Sequence, residues 1–325
     1  MAHALRLSRR GLGNVWPNPA VGCVLVREGR VVGRGWTQPG GRPHAERVAL
    51  DQAGPLARGA TAYVTLEPCA HHGRTPPCAE ALVSAGVARV VSALTDPDPR
   101  VAGRGHAMLR AAGTAVTERM GEAQARAVQA GFLARVTRGR PFVTLKLASS
   151  FDGRIATASG ESQWITGPAA RRHVHALRLI HDAIMVGGGT ARADRPSLNV
   201  RGFGPVRQPA RVIVTTQPLP DLPGEGGDFG PLWQVSGDLD AIMADLARRG
   251  VTRLFCEGGG ALAAGLLRAG LVDQLVGYTA GLVLGQEGRA AIGPLALTTL
   301  ADAPRFRLVE TRRMGGDLFH RWLAG

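Results

Sequence analysis

Apolar positions along the chain follow two periods, and the period switches often. Strand-like runs cover residues 21–26 and 31–36, and Glu28 with Gly29 between them predicts a hairpin turn. Residues 44–53 place their apolar positions at helical spacing, and a strand at 60–66 follows. A helix at 78–85, a strand at 87–94, a helix at 105–112, a strand at 114–118 and a helix at 122–135 complete a first unit. A helix at 2–12 precedes it, and Pro17, Asn18 and Pro19 exclude helix in between. Strands alternating with helices predict a three-layer α/β domain with a mixed sheet, whose ligands sit at strand ends.

Residues 137–141 read as a linker, which divides the chain into domains at 1–138 and 139–325. Beyond it the alternation restarts with a strand at 142–148, a helix at 167–180 and a strand at 182–186. A strand at 211–215 leads into a Pro and Gly rich loop at 218–231. A helix at 239–249, a strand at 253–256, a helix at 261–269 and closing strands near 271–278 and 305–323 describe a second α/β domain. Glycine-rich strand-to-helix junctions at 187–190 and 257–260 are of the kind that brings backbone amides close to phosphate. Neither follows the G-x-G-x-x-G pattern, so a standard dinucleotide fingerprint is not expected.

Composition narrows the classes. With 325 residues and 45% hydrophobic content the chain can bury two cores, and no stretch is apolar enough to span a membrane. The net charge of +14 comes from arginines dispersed through every segment rather than from a basic patch, which argues against nucleic acid as the partner. Lys146 is the only lysine, a residue type whose pKa shifts readily where arginine's does not. Residues 1–13 form an arginine-bearing amphipathic stretch unlike a signal peptide, and four cysteines suit metal binding better than a disulfide scaffold; a cytoplasmic protein is expected.

The most demanding chemistry lies between residues 44 and 78. A catalytic zinc takes three ligands from His, Cys and carboxylate and keeps a fourth position for water, and His44, Cys69 and Cys78 supply three. Glu46, two residues past the histidine at a helix start, is placed to move protons between water and substrate. His-x-Glu followed by Pro-Cys-x-x-Cys marks zinc nucleobase deaminases. Here residues 70–77 stretch the cysteine spacing. Each residue alone has a plain structural explanation, but their combination does not.

Several motifs together resemble the RibD family of bifunctional riboflavin biosynthesis enzymes. In the first half these are Pro17 to Gly22, His44 with Glu46, the stretch from Thr65 through Pro68, Cys69, His71 and Arg74 to Cys78, and Val101 to Gly105. In the second they are Lys146 to Arg154, Gly160 to Thr166, Asp194 to Arg201 and Glu257 with its glycines. The resemblance implies a cytidine-deaminase-like first domain and a dihydrofolate-reductase-like second one. It implies zinc-dependent deamination of a diaminopyrimidine ribotide followed by NADPH-dependent reduction of its ribose, in a homo-oligomer acting on this small molecule.

By that likeness Asn18, His71 and Arg74 hold pyrimidine or phosphate in the first half. Ser162, Arg178, Leu198, Arg201 and Glu257 are substrate positions in the second. Ala148, Trp164, Thr190, Asp194, Thr216 and a loop comprising Gly259, Gly260, Ala261, Leu262, Ala263, Ala264 and Gly265 are cofactor positions. Lys146 with Glu257 is the candidate pair for opening the ribose ring and donating a proton. Arg195 after Asp194 and the run at 149–151 depart from the family pattern, so a reductase half kept only as structure is the alternative.

Overall fold

The computed structural model describes residues 1–71, 76–99, 101–224 and 228–325, and the chain divides into two compact units, Met1–Arg140 and Pro141–Gly325. The first unit runs α1 (Ala2–Ser8), β1 (Gly22–Arg27), β2 (Arg30–Trp36), α2 (Ala45–Ala53), β3 (Thr61–Val64) and α3 (Cys78–Ser84). It ends with β4 (Arg89–Ser92), α4 (Arg104–Ala111), β5 (Ala115–Thr117) and α5 (Glu122–Arg138). Its sheet has the order β2-β1-β3-β4-β5, antiparallel across β2, β1 and β3 and parallel from β3 to β5, the mixed sheet expected. Cys23, Leu25, Ala62, Val64 and Val90 line a core against Ala45, Ala49 and Leu82 from the helices. At Gly33 and Gly35 a Cβ would lie 2.2 and 2.3 Å from carbonyl oxygens of α2, so only glycine lets this helix, which carries Glu46, settle onto β2.

The second unit runs β6 (Phe142–Ser149), β7 (Arg154–Ala156), α6 (Pro168–Leu179), β8 (Ala183–Gly187), α7 (Gly188–Asp194), β9 (Ala210–Val214) and β10 (Leu232–Val235). It continues through α8 (Leu239–Arg248), β11 (Arg253–Gly258), α9 (Gly260–Arg268), β12 (Gln274–Thr279), β13 (Arg289–Ala290), β14 (Phe306–Met314) and β15 (Asp317–Ala324). Eight strands form one sheet in the order β10-β9-β8-β11-β6-β12-β15-β14, parallel up to β12 and closed by the antiparallel β15 and β14. Ala183, Ile184, Met185 and Val186 are all buried, as a parallel strand covered on both faces requires.

Three expectations differ from the structure. Helix α5 runs on to Arg138, into the stretch read as linker, and ends at Gly139, whose φ of 66° is the left-handed stop glycine adopts freely. The glycines at 187–190 form the strand-to-helix junction expected, Gly187 ending β8 and capping α7, which Gly188 starts. The helix expected at 261–269 is α9, so residues 260–265, which the resemblance placed in a cofactor loop, form its first turns. Strand β10 and the β7/β13 pair were not anticipated; each is short, and β10 pairs only with β9.

Two candidate active sites

Beyond β3 the chain stays tied to its neighbours, Thr65 N donating to Gly22 O at 3.1 Å and Glu67 N to Leu94 O at 2.8 Å. Cys69 therefore emerges at a fixed strand end. His44 is the extended cap residue of α2, and Cys78 is the first residue of α3. Their donor atoms converge: His44 Nδ1 lies 3.3 Å from Cys78 Sγ and 3.7 Å from Cys69 Sγ, and all three fall within 4.8 Å of one another. Zinc at usual bond lengths separates tetrahedral N and S ligands by about 3.6 Å, so this donor set fits Zn2+. A hydrogen bond from Cys78 and the His44 ring bring the Cys69 thiol down to about 4, against the effect of burial. Sharing that bond, together with burial, pushes Cys78 up.

Glu46 lies in the first turn of α2 and is 3% exposed; burial raises its carboxyl to about 7, opposed by the nearby His44 charge. A carboxyl poised there can both take up and release a proton. Asn18 packs onto the chain leading to His44: a Cβ on Gly41, whose φ is +86°, would fall 1.8 Å from Asn18 Nδ2. His71 has a buried Nδ1 without a hydrogen-bond partner among the described residues, as a side chain awaiting a ligand would. Arg74 lies outside the described residues.

The second unit holds a cavity of about 590 Å³ at the carboxyl ends of its parallel strands. Lys146, Ala148, Ser162, Trp164, Arg178, Thr190, Asp194, Leu198, Arg201, Glu257 and Gly259 all line it. Thr216 and residues 260–265 do not, and Ala263 and Ala264 are buried within α9's packing. Arg178 from α6 grips Glu257 from β11 with Nε to Oε1 at 2.5 Å and Nη2 to Oε2 at 2.9 Å, and donates Nη1 to Asn199 O at 2.8 Å. Burial works to raise Glu257, but the Arg178 charge and hydrogen bonds, with Lys146, hold its carboxyl below the usual range. Burial lowers Lys146, with Arg178 adding to the shift and Glu257 opposing it.

Arg171 and His175 line the cavity without having been picked out in the sequence, and Arg195, noted there only as a departure from the family pattern, lines it too. Arg171 lies over the Trp164 ring at 4.4 Å. His175 Nδ1 accepts from Arg201 N at 3.2 Å, and burial with the charges of Arg178 and Arg201 lowers it to about 4. Helical spacing of Arg171, His175 and Arg178 on α6 was the available signal. Five cations, Lys146, Arg171, Arg178, Arg195 and Arg201, face only Asp194 and Glu257 around the cavity, a balance that favours phosphate-bearing ligands.

Comparison with known proteins covers both units. Residues 1–94 match the cytidine and deoxycytidylate deaminase zinc-binding region, and residues 141–319 match the RibD C-terminal domain. Riboflavin biosynthesis protein RibD of Escherichia coli K12 is 43% identical over 98% of this chain and 96% of its own length. The structure of Acinetobacter baumannii RibD superposes with a TM-score of 0.90 at 40% identity, covering 100% of this chain and 97% of that one. A Thermotoga maritima structure described as a diaminohydroxyphosphoribosylaminopyrimidine deaminase/5-amino-6-(5-phosphoribosylamino)uracil reductase gives 0.89 at 32% identity, covering 100% and 97%. Fold and sites thus define a two-part enzyme, a zinc-type deaminase unit followed by a reductase unit. The chain belongs to the RibD family of riboflavin biosynthesis proteins. Among the described residues, no helix is long and apolar enough to cross a membrane.

Proposed function

We propose that the first unit converts 2,5-diamino-6-(5-phosphoribosylamino)pyrimidin-4(3H)-one to 5-amino-6-(5-phosphoribosylamino)uracil and ammonia, and that the second reduces the ribose of that product to ribityl phosphate with NADPH. The observation that carries this reading is that each unit assembles its own set of reactive groups: His44, Cys69, Cys78 and Glu46 in one, Lys146, Arg178 and Glu257 in the other. His44, Cys69 and Cys78 would hold zinc, which lowers the pKa of a bound water to about 7. Glu46 takes a proton from the attacking water and returns it to the departing amine, for which a carboxyl near 7 is suited. Asn18 and His71, flanking this site, and Arg74 would orient the ribotide.

In the second unit NADPH supplies the hydride. The ribosylamine ring must open to its imine, to whose carbon the hydride adds, and the ring oxygen that leaves needs a proton. Lys146, with its pKa lowered by burial, donates it while the Arg178-bound carboxylate of Glu257 sets an opposite charge near the ammonium. Arg201 receives the ribotide phosphate, and Ala148, Trp164, Thr190, Asp194 and Gly259 border the nicotinamide nucleotide. A homo-oligomer located in the cytoplasm completes the reading. Isotopes test it: heavy-oxygen water should label the new pyrimidine carbonyl, and NADPH deuterated at its transferable position should label the ribityl carbon. Label in neither place contradicts it.

A further inference from the structure

The second metal ligand sits two residues past a carboxylate with an unusual set of partners. The Glu67 side chain is fully buried and accepts four backbone N–H groups from one stretch. Asp96 N and Gly103 N reach Oε2 at 3.1 and 3.0 Å, and Gly105 N and His106 N reach Oε1 at 2.9 and 3.3 Å. The last two amides open α4, whose dipole favours a negative charge there. The His106 ring meets Ser92 Oγ at 2.8 Å through Nε2, and its Nδ1 lies 3.3 Å from Glu118 and 3.9 Å from Glu67 Oε2.

These bonds draw α4 onto the peptide that leads into Cys69. A Cβ on Gly105 would stand 2.0 Å from Pro68 O and 3.2 Å from Glu67 Cγ, so helix and Pro68 are in direct backbone contact. From the other side, α3 holds Cys69: Ala79 N donates to Cys69 O at 3.2 Å, and Cys78 N to Cys69 Sγ at 3.3 Å. Cys69 is thereby held between two helix starts, and Glu67 fastens one of them.

We propose that Glu67 is a positioning residue of the metal centre: by anchoring Asp96 and the start of α4 at 103–106 against Pro68, its carboxylate fixes Cys69 Sγ at ligand spacing. The proposal rests on the reading of His44, Cys69 and Cys78 as zinc ligands. Glutamine at position 67 would present an NH2 to amides that need an acceptor, leaving part of the stretch unbonded. Gly105→Ala would displace Pro68 from the α4 side with no change of charge. Glu118→Gln alters the outer end of the same network, through His106, and touches neither Pro68 nor Cys69 in the bonds above.

The test uses the full-length, zinc-loaded protein below its unfolding temperature. Transfer of zinc to a chelator is followed, and the thiolate band of the cobalt-substituted protein is recorded. Glu67→Gln and Gly105→Ala should release zinc on the order of 10–100-fold more readily, with a shifted cobalt band. Glu118→Gln should match the parent. A folded Glu67→Gln protein that holds zinc like the parent with an unchanged cobalt spectrum overturns the proposal, as does equal loosening by Glu118→Gln. Should Glu67→Gln not fold, Gly105→Ala decides the matter by the same two readouts. A parent protein that takes up no zinc refutes the ligand reading instead.

Discussion

Arg178 and Glu257 stand 79 positions apart in the chain and close a two-bond ion pair inside the reductase cavity, with side chains 11% and 10% exposed. The pair anchors the carboxylate whose charge acts on Lys146, so α6 and β11 together set the charge around the proposed proton donor. Removing one partner leaves the other charge buried and uncompensated, at a cost of about 3–5 kcal/mol. Arg178→Ala should therefore lower the thermal stability of the second unit and abolish NADPH oxidation. Ammonia release, measured on the same preparation, should persist.

Glu46→Gln keeps shape and removes the proton carrier. Ammonia release should fall roughly 10²–10⁴-fold. With the deaminated ribotide supplied directly, NADPH oxidation should continue at the parent rate. Full ammonia release from this variant would remove Glu46 from the chemistry.

Lys146→Met preserves the stem and deletes the ammonium. Nucleotide affinity, measured by quenching of protein fluorescence on NADPH binding, should change little, whereas reductase turnover should fall on the order of 10²-fold or more. Full turnover would reduce Lys146 to a strand-end partner of Glu257.

His181 predicts a pH dependence. Burial, helped by the Arg253 charge, lowers it from 6.5 to about 3, while Nδ1 bonds Leu177 O and Nε2 bonds Thr144 Oγ1. Between these pKa values the unfolded chain binds a proton that the folded one excludes. Stability from this residue is complete above pH 6.5 and declines as pH falls, by about 1.4 kcal/mol per pH unit. Denaturant unfolding at pH 7 and pH 5 should show this loss in the parent. His181→Gln, though less stable throughout, should show a shallower dependence.

The metal motif was legible because its residues are close in sequence and chemically rare: His44, Glu46, Cys69 and Cys78 fall within one stretch whose strand and helix starts alternation alone predicts. The α/β class of both units and the family were legible for the same reason. The strand-to-helix junction at 187–190 was legible from its glycines, with Gly187 capping α7. What the sequence hid is tertiary. Glu67 reads as part of a Glu-Pro-Cys run, and nothing local shows that its partners are amides at 96–106. His175 carries no motif; its place in the cavity follows from the face of α6 that meets β11 and the 195–201 segment.

The central claim is that one chain performs both steps in order. Zinc-replete protein given the diaminopyrimidine ribotide and NADPH, with ammonia and nicotinamide absorbance followed separately, tests it most directly. Ammonia should appear without NADPH, and adding NADPH should bring its oxidation in equal amount to the ammonia released. Ammonia with no NADPH oxidation, or neither signal, would contradict the account.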